Sequence, residues 1–400
     1  MNKKISLGVA ISLVAIGCAI TFVLTWTISL KIYNGKLVSS DTYEGMYAKL
    51  REIDATVRNN YINSGSVSDE QIANSVINGY VAGIGDKYAS YMAADSYYEL
   101  QQTNSGIIMN AGFDAEEDGS GYLLVTTVYR GSSAELNGVE VGDVITEIDG
   151  KNLLSMEAGT AAGKLSGEIG TRIALKLLRD GEEVSVNLIR QQLEIESVTS
   201  KVINGSVGYI KITAFNGKTA EQFAEHLNTL TEADVKALII DVRQNGGGLV
   251  SSLKPILNRF IPAAIIATAE YSDGSRRTLI ETDSEVHVEL PIAILVDGGT
   301  ASASELFAVA LRDECGAVLV GTQTYGKAVM QNTFEFPDGS AVTISTAKVY
   351  PSKSESYDGV GLKPDYLAEL PAGAAPGSLS DDMDSQLQKA IEVIAPNSVN

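Results

Sequence analysis

The hydrophobic pattern changes period several times along the chain, and each change marks a segment. From Ile5 to Leu30 no residue is charged and most are apolar. A helix rising about 1.5 Å per residue crosses a hydrocarbon core of about 30 Å with about 20 residues, so this run predicts a transmembrane anchor. Residues 40–104 carry helical periodicity with few turn signals, as in YEGMYAKLREIDATVRNNYI and DEQIANSVINGYVAGI, with Ser68 or Asp69 as N-cap of the second helix. Gly83, Gly85 and Asp86 interrupt the pattern before YASYMAADSYYELQQ resumes it. Between about 105 and 190 the apolar runs become short and β-branched (GYLLVTTVY, DVITEIDG, TRIALKLLRDG, EVSVNLIR), with glycine and aspartate at the turns and MEAGTAAGKLSG as one helix. Beyond 190, strand-like GYIKITAF, VKALIIDVR, PIAILVDGG, GAVLVGTQT and SAVTISTAKVY alternate with helix-like GKTAEQFAEHLNTL, VSSLKPILNRF and ASELFAVALRDE. That alternation predicts sheet and helices in layers, with chemistry at the strand ends. LPAGAAPGSLSDD reads as a linker and DSQLQKAIEVIA as a final amphipathic helix. The expectation is an α+β, multidomain chain divided at 1–35, 36–104, 105–190, 191–370 and 371–400.

Its length is in keeping with two or three domains. Thirty basic against fifty acidic side chains give a formal charge of −20, which repels phosphate backbones and argues against a nucleic-acid partner. Lys3 and Lys4 precede the apolar run and Lys31 follows it, a small bias toward a cytoplasmic N-terminus. The catalytic body is then expected on the extracytoplasmic side of a cell membrane, held by a single pass through residues 5–30. A cleaved signal peptide is the competing reading, although its apolar region is usually shorter. AIGC at 15–18 resembles a lipoprotein cleavage site, but the apolar run continues beyond Cys18. The only cysteines, Cys18 and Cys315, build neither a disulfide framework nor a metal centre, and no metal or cofactor is expected. The only histidines, His226 and His287, stand in no motif that sets them beside an acid and a nucleophile. A hydrolase built from this chain therefore needs another base.

Two glycine-dense turns stand out. In ALIIDVRQNGGGLV, a strand runs into Gly246, Gly247 and Gly248, where backbone amides can turn inward toward an anion. No GK[ST] follows, so it is not a P-loop. In AILVDGGTASASELFAVALRD, a strand runs through Gly298 and Gly299 directly into a helix. A side chain at that junction stands above a helix N-terminus whose unpaired amides can stabilise an oxyanion. Thr300, Ser302 and Ser304 are all candidates there, each able to serve as nucleophile or as a helix cap. GTQTYGKAVMQ sets Lys327 beyond another strand and a glycine-bounded turn. Lysine in an apolar pocket loses proton affinity and can accept a serine proton. Gln331 could orient that amine without adding charge.

These motifs together resemble the carboxyl-terminal processing peptidases, the tail-specific proteases of the S41 type. TASASE at 300–305, LRD at 311–313 and TYGKAVMQ at 324–331 carry the resemblance most specifically. It implies Ser302 as nucleophile, Lys327 as general base and Gln331 as third member of the site. IIDVRQNGGGLV resembles the family segment that lends an amide to the oxyanion hole, which implies Gly247 and Ala303 as the two donors. Asp241, Arg243, Asn245 and Gly248 match that segment in supporting roles, and Asp313 matches a supporting acid. Residues 105–190 resemble the family's PDZ domain. NAGFDAE there fits the carboxylate-binding loop and its following strand, which implies Gly112 and Phe113 as peptide-binding residues. Ser133 stands where proline is common, and Asn137-Gly138 where alanine-glycine is usual. AGIGDKYASYM and YDGVGLKPD resemble the segments ahead of the PDZ domain and at the close of the core.

The resemblance implies a crotonase-like layered peptidase core after the PDZ domain. It implies a serine endopeptidase that cleaves exported or membrane-associated proteins near their C-termini, through an acyl-enzyme and without a cofactor. Protein substrates with exposed tails are the partners it implies, and it is compatible with a homodimer. The alternative is a PDZ-bearing scaffold or chaperone without catalysis.

Overall fold

The computed structural model describes residues 7–156, 160–285 and 288–394. The chain divides into two units, Met1–Gly79 and Tyr80–Asn400.

In the first unit one helix, α1 (Leu7–Asn60), runs without a break past the expected boundary at residue 35. Between Ile16 and Ser29 its side chains are exposed, including Phe22 and Trp26. Among the described residues no helix is long and apolar enough to cross a membrane. The spanning segment expected over 5–30 is therefore not supported. The apolar run forms no helix of its own, because its residues from Leu7 on belong to a helix that continues through the polar sequence after Lys31. Arg58 closes the end of α1 by donating to Asp54 and Asp69. Asp69 opens α2 (Asp69–Ala82).

The second unit begins with a short strand, β1 (Ser90–Met92), and α3 (Ala94–Ser105), which Gly106 ends in the left-handed conformation. Next, β2 (Ile107–Asn110) leads into a β-rich domain with strands β3 (Phe113–Glu117), β4 (Leu123–Val128), β5 (Val144–Ile148), β6 (Lys151–Asn152), β7 (Arg172–Arg179) and β8 (Glu182–Ile189). Two short helices, α4 (Ser133–Leu136) and α5 (Thr160–Gly163), complete it. Among the described residues the sheet order is β3-β4-β5-β7-β8, with β3 at one edge. Alternation along β7 buries Ile173, Leu175 and Leu177 against Phe113, Val125 and Ile145, a core separate from the rest of the chain. The chain leaves through β9 (Gln191–Glu194), which pairs antiparallel with β2. The domain thus hangs on a two-stranded neck.

The central sheet follows: β10 (Val198–Ile203), β11 (Val207–Ile212), then α6 (Thr219–Glu232), β12 (Ala237–Asp241) and α7 (Leu253–Leu257). A second, antiparallel sheet starts with β13 (Ala264–Tyr271) and β14 (Arg276–Thr282), before the chain returns to the central sheet at β15 (Ile292–Val296), α8 (Ala303–Cys315) and β16 (Val318–Gly321). The long strands β17 (Val329–Glu335) and β18 (Ala341–Pro351) complete the second sheet, and β19 (Tyr366–Leu367) and α9 (Ser385–Ile394) finish the described chain. The central order is β10-β11-β12-β15-β16-β19, parallel from β11 onward. Both faces are covered, as a parallel sheet requires. Leu238, Ile240, Ile294 and Leu319 pack with Phe223 of α6, Ile256 of α7 and Phe307 of α8. Ile239, Ala293 and Leu295 pack on the other side with Leu387, Ala390 and Ile391 of α9. The C-terminal helix is therefore a layer of the core, not an appendage. The second sheet, β1-β18-β13-β14 with β17 beside β18, was only partly foreseen: β14 (RRTLIET) carries too much polar sequence to stand out as a buried strand.

Candidate active site

The parallel strands β12, β15 and β16 are neighbours, so the turns that follow them meet at one end of the sheet. These are the three glycine-bearing segments singled out in the sequence. Gln244 donates its amide to Asp297 Oδ1 at 2.9 Å, Ala301 donates to the Asn245 carbonyl at 3.0 Å, and Tyr325 donates to the Thr300 carbonyl at 3.1 Å.

The structure separates the three candidate hydroxyls. Thr300 is fully buried, and its Oγ1 donates to the Val242 carbonyl at 2.9 Å. Ser304 is fully buried within α8, and among the described residues its Oγ has no hydrogen-bond partner. Ser302 remains partly exposed at the N-cap of α8, with φ 57° and ψ −115°. A non-glycine residue with such a backbone is strained, and it is held there by its surroundings. Its amide donates to Glu305 Oε2 at 2.9 Å.

Lys327 and Ser302 line one small pocket, walled by Val250, Leu306, Val329, Met330, Val349 and Tyr357. Among the described residues no hydrogen bond joins Ser302 Oγ to Lys327 Nζ. The amine instead donates to Gln331 Oε1 at 2.6 Å. Gln331 Nε2 donates to the Tyr88 carbonyl at 2.8 Å. A carbonyl can only accept, so this bond sets the orientation of the amide and makes Gln331 the acceptor toward the amine. Burial pushes the Lys327 amine below its ordinary value of 10.5, and the Asp86 carboxylate opposes it. An amine that holds its proton less firmly, in the same pocket as a hydroxyl, is suited to proton transfer.

Ala303 supplies the first amide of α8, one of those with no acceptor inside the helix. The Gly247 amide, expected as its companion, donates to Asn245 Oδ1 at 2.9 Å and so is not free to receive an oxyanion here. Asparagine two residues upstream closes a local turn on that amide. Gly247 nevertheless touches the elbow: a Cβ there would lie 2.8 Å from the Ala301 carbonyl oxygen and 3.0 Å from the Ala303 nitrogen. Gly248 bridges Phe215 in parallel fashion, with Phe215 bonded to its two neighbours, so its own amide turns away from that bridge.

The remaining matched residues brace the site from a distance. Arg243 is buried and bonded to Asp241 at 2.6 Å and to Asp384 at 2.9 Å, while Tyr209 donates to Asp241 at 2.7 Å. This cluster ties the glycine turn to α9. Asn245 Nδ2 donates to the Ile212 carbonyl. Asp313 sits near the far end of α8, where Ser354 donates to it at 2.7 Å. His226 meets Ser200, and His287 lies outside the described residues. Among the described residues no group of three or more His, Cys, Asp or Glu is arranged to hold a metal ion.

In the β-rich domain, Gly112 has φ 102°, and its amide donates to Asn110 Oδ1 at 2.7 Å. A Cβ at Gly112 would lie 2.1 Å from Ser132 Cβ, so only glycine fits. The Phe113 side chain is buried in the domain core, which leaves its backbone, not its ring, to meet a ligand. A cleft of about 530 Å³ runs beside β3, lined by Asp114, Ala115 and Glu116 as well as by Gln102 of α3 and by Leu165.

Two contributors escaped the sequence. Glu305 is fully buried and gathers four donors: the amides of Ser302 (2.9 Å), Gly326 (2.7 Å) and Lys327 (2.9 Å) and the Thr324 hydroxyl (2.5 Å). The spacing Ser302-x-x-Glu305 at a helix start was its available signal. Tyr88 lies far away in sequence, within AGIGDKYASYM, a segment whose resemblance implied no site role.

A hydroxyl on a strained elbow, sharing a pocket with a half-buried amine at the free end of a helix, is an arrangement able to carry out serine-type acyl transfer. A family model described as peptidase family S41 matches residues 206–368, and a PDZ domain model matches residues 124–179. The carboxy-terminal processing protease CtpA of Bacillus subtilis is 30 % identical over 335 residues, which is 83 % of this chain and 71 % of that protein. A carboxyl-terminal-processing protease of Synechocystis is 28 % identical over 78 % of this chain and 75 % of its own. Among solved structures, a photosystem II D1 C-terminal processing protease is 25 % identical and covers 74 % of this chain and 83 % of that one, with a TM-score of 0.46. The chain belongs to peptidase family S41, as a serine-type carboxyl-terminal processing protease with a PDZ domain.

Proposed function

We propose that Ser302 is the nucleophile and Lys327 the general base of an endopeptidase that cuts polypeptides near their C-termini. The observation that carries this reading is the shared pocket of Ser302 and Lys327, into which burial delivers a depressed amine. As Ser302 Oγ bonds to the scissile carbonyl carbon, its proton passes to Lys327 Nζ and the carbonyl oxygen becomes an oxyanion. The Ala303 amide, with that of Gly248 in place of the engaged Gly247, receives this charge. Lys327 then returns the proton to the departing nitrogen as the C–N bond breaks. Water, deprotonated by the same amine, releases the acyl group. Separate Ser302→Ala and Lys327→Ala variants, tested on an unstructured polypeptide, should fold and lose cleavage. Retained cleavage in Ser302→Ala defeats the assignment.

The substrate tail would add as a strand to the open side of β3, within the cleft beside it. Converting a substrate's terminal carboxylate to an amide should then weaken capture, and equal binding counts against tail recognition. The carboxylates of Glu99, Asp114 and Glu116 around this cleft favour basic side chains upstream of the terminus. Attachment to the outer face of a membrane is also proposed, on the exposed apolar side chains of α1, where Phe22 is 67 % and Trp26 58 % exposed. Recovery of the whole chain in the soluble fraction after cell lysis would refute it.

A further inference from the structure

We infer that the segment Asp86–Tyr88 belongs to the machinery of the general base, with Tyr88 fixing Gln331 and covering Lys327 while Asp86 pins the segment in place. This rests on the reading of Lys327 as the base. The segment lies ahead of the PDZ domain, outside residues 206–368 that match the peptidase family. It returns to the core because β1 pairs antiparallel with β18, Ser90 opposite Thr343. Just upstream, Asp86 Oδ2 accepts the Ser345 amide at 2.8 Å, and Oδ1 accepts the Ser345 hydroxyl at 3.1 Å and the Tyr88 amide at 3.0 Å. Ser345 is the cross-strand partner of Gln331, at a register shift that follows Met330 in β17. Such an irregularity re-aims a side chain. Here it presents Gln331 to the Tyr88 carbonyl on one side and to Lys327 on the other.

The Tyr88 ring lies 4.7 Å from Lys327 Nζ, within range of a cation–π contact. That contact favours the ammonium, the form Lys327 takes after accepting the serine proton. Asp86 acts in the same direction and burial against it, so the segment supplies the counterweight that lets the amine cycle between both forms. The other charged or titratable groups around the amine are Glu305 from α8, Tyr357 and Asp358 after β18, Tyr325, and Lys87, whose Nζ lies 4.6 Å from the Tyr88 ring. Glu305 is occupied by backbone donors, and Asp358 accepts the Ala328 amide. Asp86 and Tyr88 are therefore positioning residues.

Four variants of the full chain test this: Tyr88→Leu, Tyr88→Phe, Asp86→Asn and Lys327→Ala. Tyr88→Leu keeps bulk without the ring face, and its kcat should fall about ten- to hundredfold, the scale of a small misplacement, with KM little changed. Tyr88→Phe keeps ring and carbonyl and should recover the wild-type pH profile. Asp86→Asn keeps an acceptor for Ser345 while removing the charge, so the acidic limb of kcat/KM should move to lower pH. If Tyr88→Leu does not fold, the limb in Asp86→Asn decides alone. Wild-type kcat in Tyr88→Leu and an unmoved limb in Asp86→Asn, with Lys327→Ala inactive, overturn the inference but leave the base assignment standing. Turnover in Lys327→Ala would instead remove both.

Discussion

Ser302 and Lys327 donate their backbone amides to one and the same atom, Oε2 of Glu305, each at 2.9 Å. Their side chains do not bond to each other, so the separation of hydroxyl and amine is set through the backbone by a third residue. Two turns that the sequence separates widely are thereby locked to a single carboxylate.

Glu305→Gln replaces one acceptor oxygen by an NH2 group facing donors. Burying unsatisfied amides costs about 1–3 kcal/mol. A lower Tm is expected together with a loss of kcat larger than any change in KM, read by thermal unfolding and steady-state kinetics. A variant with wild-type kcat would show that Glu305 does not set the site.

Gly247→Ala is expected to impair catalysis more than folding. Its Cβ would press on the Ala301 carbonyl and the Ala303 amide, from a backbone with φ 106° that alanine disfavours. Substrate affinity, measured by binding to an inactive Ser302→Ala background, should remain near wild type while acylation slows.

Lys327 makes the fold sensitive to pH in a definite direction. Its folded value lies below 10.5, so between that depressed value and 10.5 the unfolded chain binds more protons and stability rises with pH. Below the window the penalty of burying the ammonium is fully present. Lys327→Met should therefore be inactive yet more stable at neutral pH, with a smaller gain above 10.5, as denaturant titrations at several pH values would reveal.

Arg243→Leu should be among the most destabilising single changes. It strands Asp241 and Asp384 in the interior, and breaking a buried pair costs about 3–5 kcal/mol. Urea unfolding measures this, and an accompanying Asp241→Asn, Asp384→Asn pair should restore part of the loss.

Much of this arrangement was legible in the sequence. Residues 292–296 and 237–240 are unbroken apolar runs that lead on to glycine turns, and such runs reveal buried parallel strands directly. Ser302, Lys327 and Gln331 were recognisable as a set through their resemblance to the family's motif. What was not legible depends on long-range pairing. Tyr88 joins Gln331 only because β1 adds to β18, and no local pattern encodes that pairing. The engagement of Gly247 by Asn245 depends on the closed turn, which the motif alone does not specify. The apolar run near the start shows the opposite case, where a strong local signal became part of a longer helix.

The neck formed by β2 and β9 gives the molecule a measure of length. On the proposed capture of a tail beside β3, that end would be joined to the peptidase core through one pair of strands, and its local concentration at the catalytic pocket would depend on how many residues separate end from cut. Too few residues cannot span the gap, and too many dilute the advantage. A substrate caught in that way should be cut at a preferred distance from its end, as if against a ruler.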